Sequence, residues 1–508
     1  MKRPSFKEYV MLREENSPEG GNPSKDWRKS FIQLEKGFIP PPKLRPIIDA
    51  FLNSGDIELS PDTTKAPTMP KKSLFLVGGP VRDFIAGRSI KDYDLATNAT
   101  PEQIGHILSN AGFRMSDDRS GKTGKPLNLN FGPVKSSSGD KKVWYVKGRD
   151  ASQDGKAFVI GAVVDGEEFD IATFRRDAKV TDGAAEVEFT DNPHGDASRR
   201  DLTINSLYIE LTKSDGENTK LFDPTGKGFH DVKHQIVRTV GKASDRFGED
   251  KLRVLRAIRF HCKFGSGEKM DTDIESAIPK FKHMEGVALE RIRDEFLKGL
   301  TAPDVDLKRY IPIYKRTGLL EKVFPDVSFD PPNSIPMEIS DQKDKPLALA
   351  WLLQHNPIEK VAEVLSPSRK MGMEDKATGW TTQERRAVLF LLKLKEFSPQ
   401  TLPDYMRQRE GTGLSNQQLR DWVEMFKIKG TNRHRRPWWA QQVSAFADHQ
   451  KSTTWDDAVA AGKDQCPGCK GQGCQQCAFS GKIPPEQRSK VIADMEREKF
   501  AKRLGNGK

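Results

Sequence analysis

Two hydrophobic periods divide the chain. From Leu74 to about Phe222, apolar residues come in short runs and alternations, the period of two that strands require, with helical stretches between them. Beyond about Asp223, apolar residues recur at i, i+3 and i+4. The segments GEDKLRVLRAIRFHCKF, ALERIRDEFLKGL, DVDLKRYIPIYKRTGLLEKVF, KPLALAWLLQH and ERRAVLFLLKLKEF all read as amphipathic helices. The pattern predicts an α+β head followed by a long helical body.

Within the head, Leu74–Val77 reads as a short buried strand. Gly78-Gly79 follows it, then an apolar helical turn carrying Arg82 and Asp83. Thr100 as N-cap and Pro101 at the first helical position predict a helix that buries Ile104, Ile107 and Leu108 and stops at Gly112. From Met115 to Ala157 the chain turns Gly/Ser/Lys-rich, with a weak strand at Val143–Val146. Two apolar runs flanking Asp165-Gly166 predict a hairpin. Ahead of all this, residues 1–70 are polar and Pro-rich around one helix, Lys43–Leu52, and read as an extension and linker without chemistry. The expected domains are therefore 1–70, a head at 71–222, a helical neck at 223–300, a helical body at 301–450 and a Cys-rich terminus at 451–508.

Composition narrows the partners. The chain has 508 residues and a formal charge of +11, which favours a polyanion, although a merely basic soluble protein has the same balance. It contains no run of ~18 apolar residues, so no membrane span is expected. The start, MKRPSFKEYVMLREEN, lacks the apolar core of a secretory signal, and four of the five cysteines cluster near the end. A cytoplasmic chain without a disulfide scaffold is expected.

Asp92 and Asp94 are two acids one residue apart, which on a strand face the same way. Converging carboxylates need a cation, and an all-oxygen site beside phosphates suits Mg²⁺. Gly78 and Gly79 allow close backbone approach to an anion. A third acid would orient and deprotonate an attacking hydroxyl. Glu167, Glu168 and Asp170 are the candidates, with Asp170 preferred for its place between inward apolar residues, although a strand-end surface acid would look the same. Arg199-Arg200-Asp201 and Asn205 supply forks and an amide for phosphate and sugar oxygens; a capped helix start with a solvated basic pair fits equally. On a helix, Asp250, Arg253 and Arg256 would share one side. A carboxylate beside a guanidinium matches the amino group and ring acceptor of C and A, and opposes the carbonyl of U and G. A salt-bridged exposed helix has the same pattern.

Taken together, these segments resemble the class II tRNA nucleotidyltransferase and poly(A) polymerase superfamily. LVGGPVRDFIAGRSIKDYDLAT, RRDLTIN, DPTGKGFHDVK, EDKLRVLRAIRF and ALERIRDEFLKGL are similar to its five motifs, in order. The resemblance implies a polymerase-beta-like head, Gly79 and Arg82 on the triphosphate, and two Mg²⁺ ions on Asp92 and Asp94. It further implies Arg200 on the nucleotide, Asp250 and Arg253 as readers of the base, and Arg256 and Arg259 in support. The family has Glu where Asp170 stands, and Arg114–Asp154 lengthens its compact hairpin. The implied activity is addition or repair of the 3′-terminal CCA of tRNA from CTP and ATP. The absence of the paired-basic-Phe signature of the poly(A) branch favours CCA addition over poly(A) synthesis, and an RNA-binding protein with an inactive head is the reading from another class.

Two further segments stand outside those motifs. KIKGTNRHRRPWWA mixes basic groups with Trp438 and Trp439, which suits a tRNA arm or a basic loop beside core tryptophans. Cys466, Cys469, Cys474 and Cys477 form two CxxC knuckles that predict structural Zn²⁺ and resemble zinc modules of the DnaJ type.

Overall fold

The computed structural model describes residues 31–34, 37–54, 72–115, 142–149, 157–181, 184–211, 219–267, 269–302, 304–324, 327, 344–365, 380–428, 436–449, 455–466, 468–470, 472, 475, 480 and 482–505. It forms two units, Met1–Phe281 and Lys282–Lys508. The strands of the first are β1 (Phe31–Gln33), β2 (Leu74–Val77), β3 (Asp94–Thr97), β4 (Arg114–Met115), β5 (Lys142–Arg149), β6 (Ala157–Val164), β7 (Glu167–Thr173), β8 (Arg175–Thr181), β9 (Ala184–Phe189), β10 (Tyr208–Glu210) and β11 (Lys220–Phe222). Nine of them make one mixed sheet in the order β1-β11-β10-β2-β3-β7-β6-β5-β4, while β8 and β9 pair apart. Only β3–β7 and β4–β5 are parallel among these neighbours.

Local chemistry accounts for most of these elements. All four residues of β2 are buried, as expected of a strand covered on both faces. Along β7, Phe169, Ile171 and Thr173 are buried while the alternate residues are less so. Asp165 and Gly166 both adopt positive φ (47° and 79°), the turn that joins β6 to β7 without splaying them. The helices of this unit are α1 (Arg45–Leu52), α2 (Gly79–Ile85), α3 (Pro101–Asn110), α4 (Pro193–Ser198), α5 (Gly228–His234), α6 (Ala243–Glu249), α7 (Leu252–Phe264) and α8 (Thr272–Phe281). Thr100 and Gln103 close a reciprocal capping box at the start of α3. Gly105 lets that helix settle on Trp144 of β5, whose ring a Cβ there would meet at 2.7 Å.

Two expectations change. Residues from Phe31 to Leu52 belong to the head rather than to an extension. β1 pairs antiparallel with β11, Phe31 joins the cluster of Phe75, Val77, Phe174, Tyr208 and Phe222, and α1 buries Ile47, Ile48, Ala50 and Phe51. The expected continuous helix at Glu249–Arg259 is broken. Asp250 has extended backbone (φ −147°, ψ 106°) between α6 and α7, so it is not on α7 at all.

The second unit is helical among its described residues: α9 (Leu289–Leu300), α10 (Leu307–Arg316), α11 (Leu320–Val323), α12 (Lys345–Leu353), α13 (Ile358–Val364), α14 (Thr382–Lys393), α15 (Leu402–Arg409), α16 (Asn416–Ile428), α17 (Arg436–Ala447), α18 (Trp455–Ala460) and α19 (Arg488–Gly505), with short 3₁₀ turns between some of them. Phe296 of α9 stacks with Tyr310 and meets Tyr314 and Phe324 edge-on. Gly299 makes room for Tyr310, whose ring a Cβ would overlap. No described helix is long and apolar enough to cross a membrane.

Candidate active site

The glycine turn, the acids and the arginines expected from the sequence all lie in the first unit. Gly78 ends β2 with φ 74°, a conformation that disfavours any side chain. The close approach matters as well, because a Cβ there would stand 3.2 Å from Arg200 Nη1. Gly79 opens α2, which carries Arg82.

Asp94 begins β3 and is the register partner of Asp170 on parallel β7. Aligned residues on neighbouring strands face the same way, so these two carboxylates share one side of the sheet. Asp92 precedes the strand and is exposed, as is Asp94. Among the described residues, no group of three or more His, Cys, Asp or Glu side chains converges into a cage for a metal. A few exposed carboxylates that leave positions for phosphate oxygens and water form the donor set that suits Mg²⁺, so the residues present fit that ion.

A continuous relay connects α2 to α7. Arg82, only 5% exposed, donates from Nη1 to Asn205 Oδ1 at 2.7 Å and pairs with its neighbour Asp83. Asn205 Nδ2 donates to Asp201 Oδ1 at 3.4 Å, and Asp201 Oδ2 accepts from Arg256 Nε at 2.7 Å. Burial pushes the Asp201 carboxyl up, but the Arg256 charge and hydrogen bonds from Arg256, Asn205 and the Leu202 N–H outweigh it and hold the group below its usual range. Phe260 lies at the same junction. Its ring has Arg82 at 5.1 Å, Arg256 at 5.8 Å and Arg259 at 4.6 Å, distances at which guanidinium groups are attracted to the π face.

Arg199 and Arg200 have a shared buried anchor that the sequence reading missed. Asp196, 1% exposed, accepts from Arg199 Nη2 at 2.5 Å, from Arg200 Nη2 at 3.0 Å and from the Tyr208 hydroxyl at 2.7 Å. Burial raises its pKa; the charges of Arg200 and Arg199 with the hydrogen bonds of Tyr208 and Arg199 prevail, leaving it at about 2. The i,i+3 and i,i+4 spacing of Asp196 ahead of the arginine pair was the available signal.

Asp250 and Arg253 are not joined as an ion pair. Arg253 is paired with Glu249 and donates from Nη2 to the Arg199 carbonyl at 2.7 Å. Asp250 Oδ1 accepts the Leu252 N–H at 3.0 Å and so caps the start of α7. In the second unit, Trp439 donates from Nε1 to the Leu394 carbonyl at 2.8 Å, which commits it to packing within the body. Residues 429–435, the basic part of that segment, lie outside the described residues, as do Cys474 and Cys477. Cys466 is buried and Cys469 half-buried, and Lys470, next in the turn, has φ 48°.

The chain matches known families over this region. Residues 74–128 and 144–238 match the family described as Poly A polymerase head domain, and residues 269–330 that described as Probable RNA and SrmB-binding site of polymerase A. CCA tRNA nucleotidyltransferase 1, mitochondrial, of Danio rerio is 33% identical over 229 residues, 45% of this chain and 44% of that protein. The CCA-adding enzyme of Oceanobacillus iheyensis is 32% identical over 226 residues, 44% of this chain and 45% of that protein. The match thus spans about half the length of these curated relatives. In fold, the chain is similar to the crystal structure of Bacillus stearothermophilus CCA-adding enzyme in complex with CTP, with TM-score 0.51 and 20% identity over 91% of this chain and 94% of that one. A CCA-adding enzyme in apo form II gives TM-score 0.52 and 16% identity, over 84% of this chain and 88% of that one.

Proposed function

We propose that this chain, whose residues 74–128 and 144–238 match the Poly A polymerase head domain, adds or repairs the 3′-terminal CCA of tRNA from CTP and ATP without a nucleic-acid template. The observation that carries this reading is the relay Arg82–Asn205–Asp201–Arg256, which ties the helix behind the glycine turn to the helix that follows Asp250.

Gly78, Gly79 and Arg82 receive the triphosphate, with Arg199 and Arg200 held ready by Asp196 for nucleotide oxygens. The tRNA 3′ hydroxyl attacks the α-phosphorus in line, and the bond to the bridging oxygen breaks as pyrophosphate leaves. Asp170 accepts the hydroxyl proton. Asp92 and Asp94 would hold Mg²⁺, which when bound neutralises phosphate charge and makes the hydroxyl more acidic. Asp250 accepts the amino group of C or A while Arg253 donates to the neighbouring ring acceptor. U and G would instead place a carbonyl against the carboxylate, and an unpaired buried polar group makes that rejection strong. Cys466, Cys469, Cys474 and Cys477 would hold structural Zn²⁺. Support comes from the turn in which the Cys469 N–H donates to the Cys466 carbonyl at 3.4 Å.

The test is incubation of a tRNA lacking its last three residues with single nucleotides and then with CTP and ATP together. The expected products stop at CCA. An A-only ladder of indefinite length refutes the reading in favour of poly(A) synthesis.

A further inference from the structure

The segment ahead of the glycine turn holds none of the residues expected at the site, yet it packs against the elements that carry the carboxylates. The Leu34 N–H donates to the Thr219 carbonyl at 3.1 Å and the Phe38 N–H to Thr219 Oγ1 at 2.7 Å. These bonds fix the backbone beyond β1 and direct Phe38, 3% exposed, into an aromatic group. Its ring meets Phe84 of α2 edge-on at 5.5 Å and Tyr93 at 6.5 Å. Tyr93 in turn lies 6.3 Å from Phe169. Lys43, just ahead of α1, pairs with Glu167 at 3.5 Å and donates to the Asp165 carbonyl at 3.2 Å, which clamps the same segment to the turn before β7.

The sequence positions of these rings give them a role. Tyr93 stands between Asp92 and Asp94, and Phe169 directly precedes Asp170. Neighbouring residues of a strand point to opposite sides, so Phe169 lies behind the layer that carries Asp94 and Asp170, and Tyr93 packs against it. Asp92 lies ahead of the first paired residue of β3, where its neighbour Tyr93 is the residue packed against another element. Tyr93 is also partly buried, and its hydroxyl is pushed above its ordinary pKa by that burial and by Glu167.

We infer that Phe38 is a positioning residue: through Tyr93 and Phe169 it sets the separation of Asp92 and Asp94 from Asp170, and so the affinity of those acids for divalent cations carried in with a nucleoside triphosphate. The inference rests on the proposed nucleotidyl transfer. Its experiment uses the full chain, with Mn²⁺ binding in the presence of CTP read by electron paramagnetic resonance, alongside CTP incorporation into truncated tRNA and thermal unfolding.

Phe38→Ala is expected to weaken Mn²⁺ binding about 10-fold or more, the size of effect typical for residues that orient metal ligands. It should lower kcat in parallel, with KM for CTP changed less. Phe38→Trp keeps a ring and restores both, whereas Phe38→Leu restores thermal stability without restoring metal affinity. If Phe38→Ala unfolds, the Trp and Leu variants make the same comparison. Wild-type metal affinity in Phe38→Ala, or in Phe38→Leu, overturns the positioning role and leaves CCA addition standing. A wild-type chain that binds Mn²⁺ with CTP but leaves tRNA unchanged ends the CCA reading, and the Phe38 series is still decided by metal affinity.

Discussion

Arg253 Nη1 donates to Glu249 Oε2 at 2.5 Å, across the break between α6 and α7, while Asp250 caps α7. Arg253 also donates to the Arg199 carbonyl, so its guanidinium is held from two directions before any base arrives. An arginine held in a fixed pose discriminates between donor and acceptor patterns better than a mobile one, since less side-chain freedom is lost on contact.

Glu249→Gln should therefore blur the choice of base while leaving the triphosphate site intact. The expected outcome is a fall of about 10-fold in preference for CTP over UTP, within the range set by one misplaced polar contact, with KM for CTP changed far less. Single-turnover incorporation of each nucleotide measures it. Unaltered selectivity would show that Glu249 does not orient the reader.

Asp94 and Asp170 face the same side of adjacent parallel strands, and their loss should affect metal affinity and the chemical step more than KM for CTP. Asp94→Asn and Asp170→Asn are each expected to reduce kcat by roughly 100-fold or more, the scale of a positioned acid or base. Pre-steady-state incorporation with saturating CTP checks this. An Asp170→Glu variant that retains activity would place the longer acid of the resembled family within reach of the same role.

The Asp196 network predicts acid sensitivity of the head. Its folded carboxyl has a pKa of about 2, below the model-compound value of 3.8. The depressed value means that stability from this group is fully present above pH 3.8 and is lost as the pH falls through 2. Denaturant melts between about pH 5 and pH 2, the range over which such a group titrates, should show wild type losing stability that Asp196→Asn never had. At neutral pH Asp196→Asn should cost about 1.5–3 kcal/mol, because it takes a shared buried carboxylate from two half-buried guanidinium groups.

Phe260 gathers three arginines around one ring. Phe260→Leu keeps the apolar volume and removes the π face, at about 0.5–2 kcal/mol per cation lost. KM for CTP and ATP should rise together, with the ratio of C to A incorporation unchanged. Phe260→Trp should recover most of the loss in steady-state assays.

Much of the head was legible because its signals are local. Gly78-Gly79 after an apolar run, Asp165-Gly166 between two strands, and Thr100 directly before Pro101 each encode a turn or cap within a few residues. The acids and arginines were legible as residue types in motifs, though not in their pairings. Asp250 looked helical because it stands three residues before Arg253, although Gly248 in the last turn of α6 was an available signal for the break before α7. The strand β1 is three residues long and its partner β11 closes the far end of the head, so nothing nearby in the sequence announces the pairing. Phe38 was hidden for the same reason: its contacts with Thr219, Phe84 and Tyr93 are all tertiary.

Asn205 gives the relay a direction. Its oxygen faces the Arg82 donor and its amide nitrogen faces the Asp201 acceptor. A carboxamide turned end for end would oppose donor to donor and oxygen to oxygen. An aspartate in its place, identical in outline, would set two carboxylates against each other, and a leucine would leave Arg82 without this acceptor. Position 205 thus tolerates neither shape alone nor charge alone, and the handedness of a single amide decides whether α2 and α7 are joined.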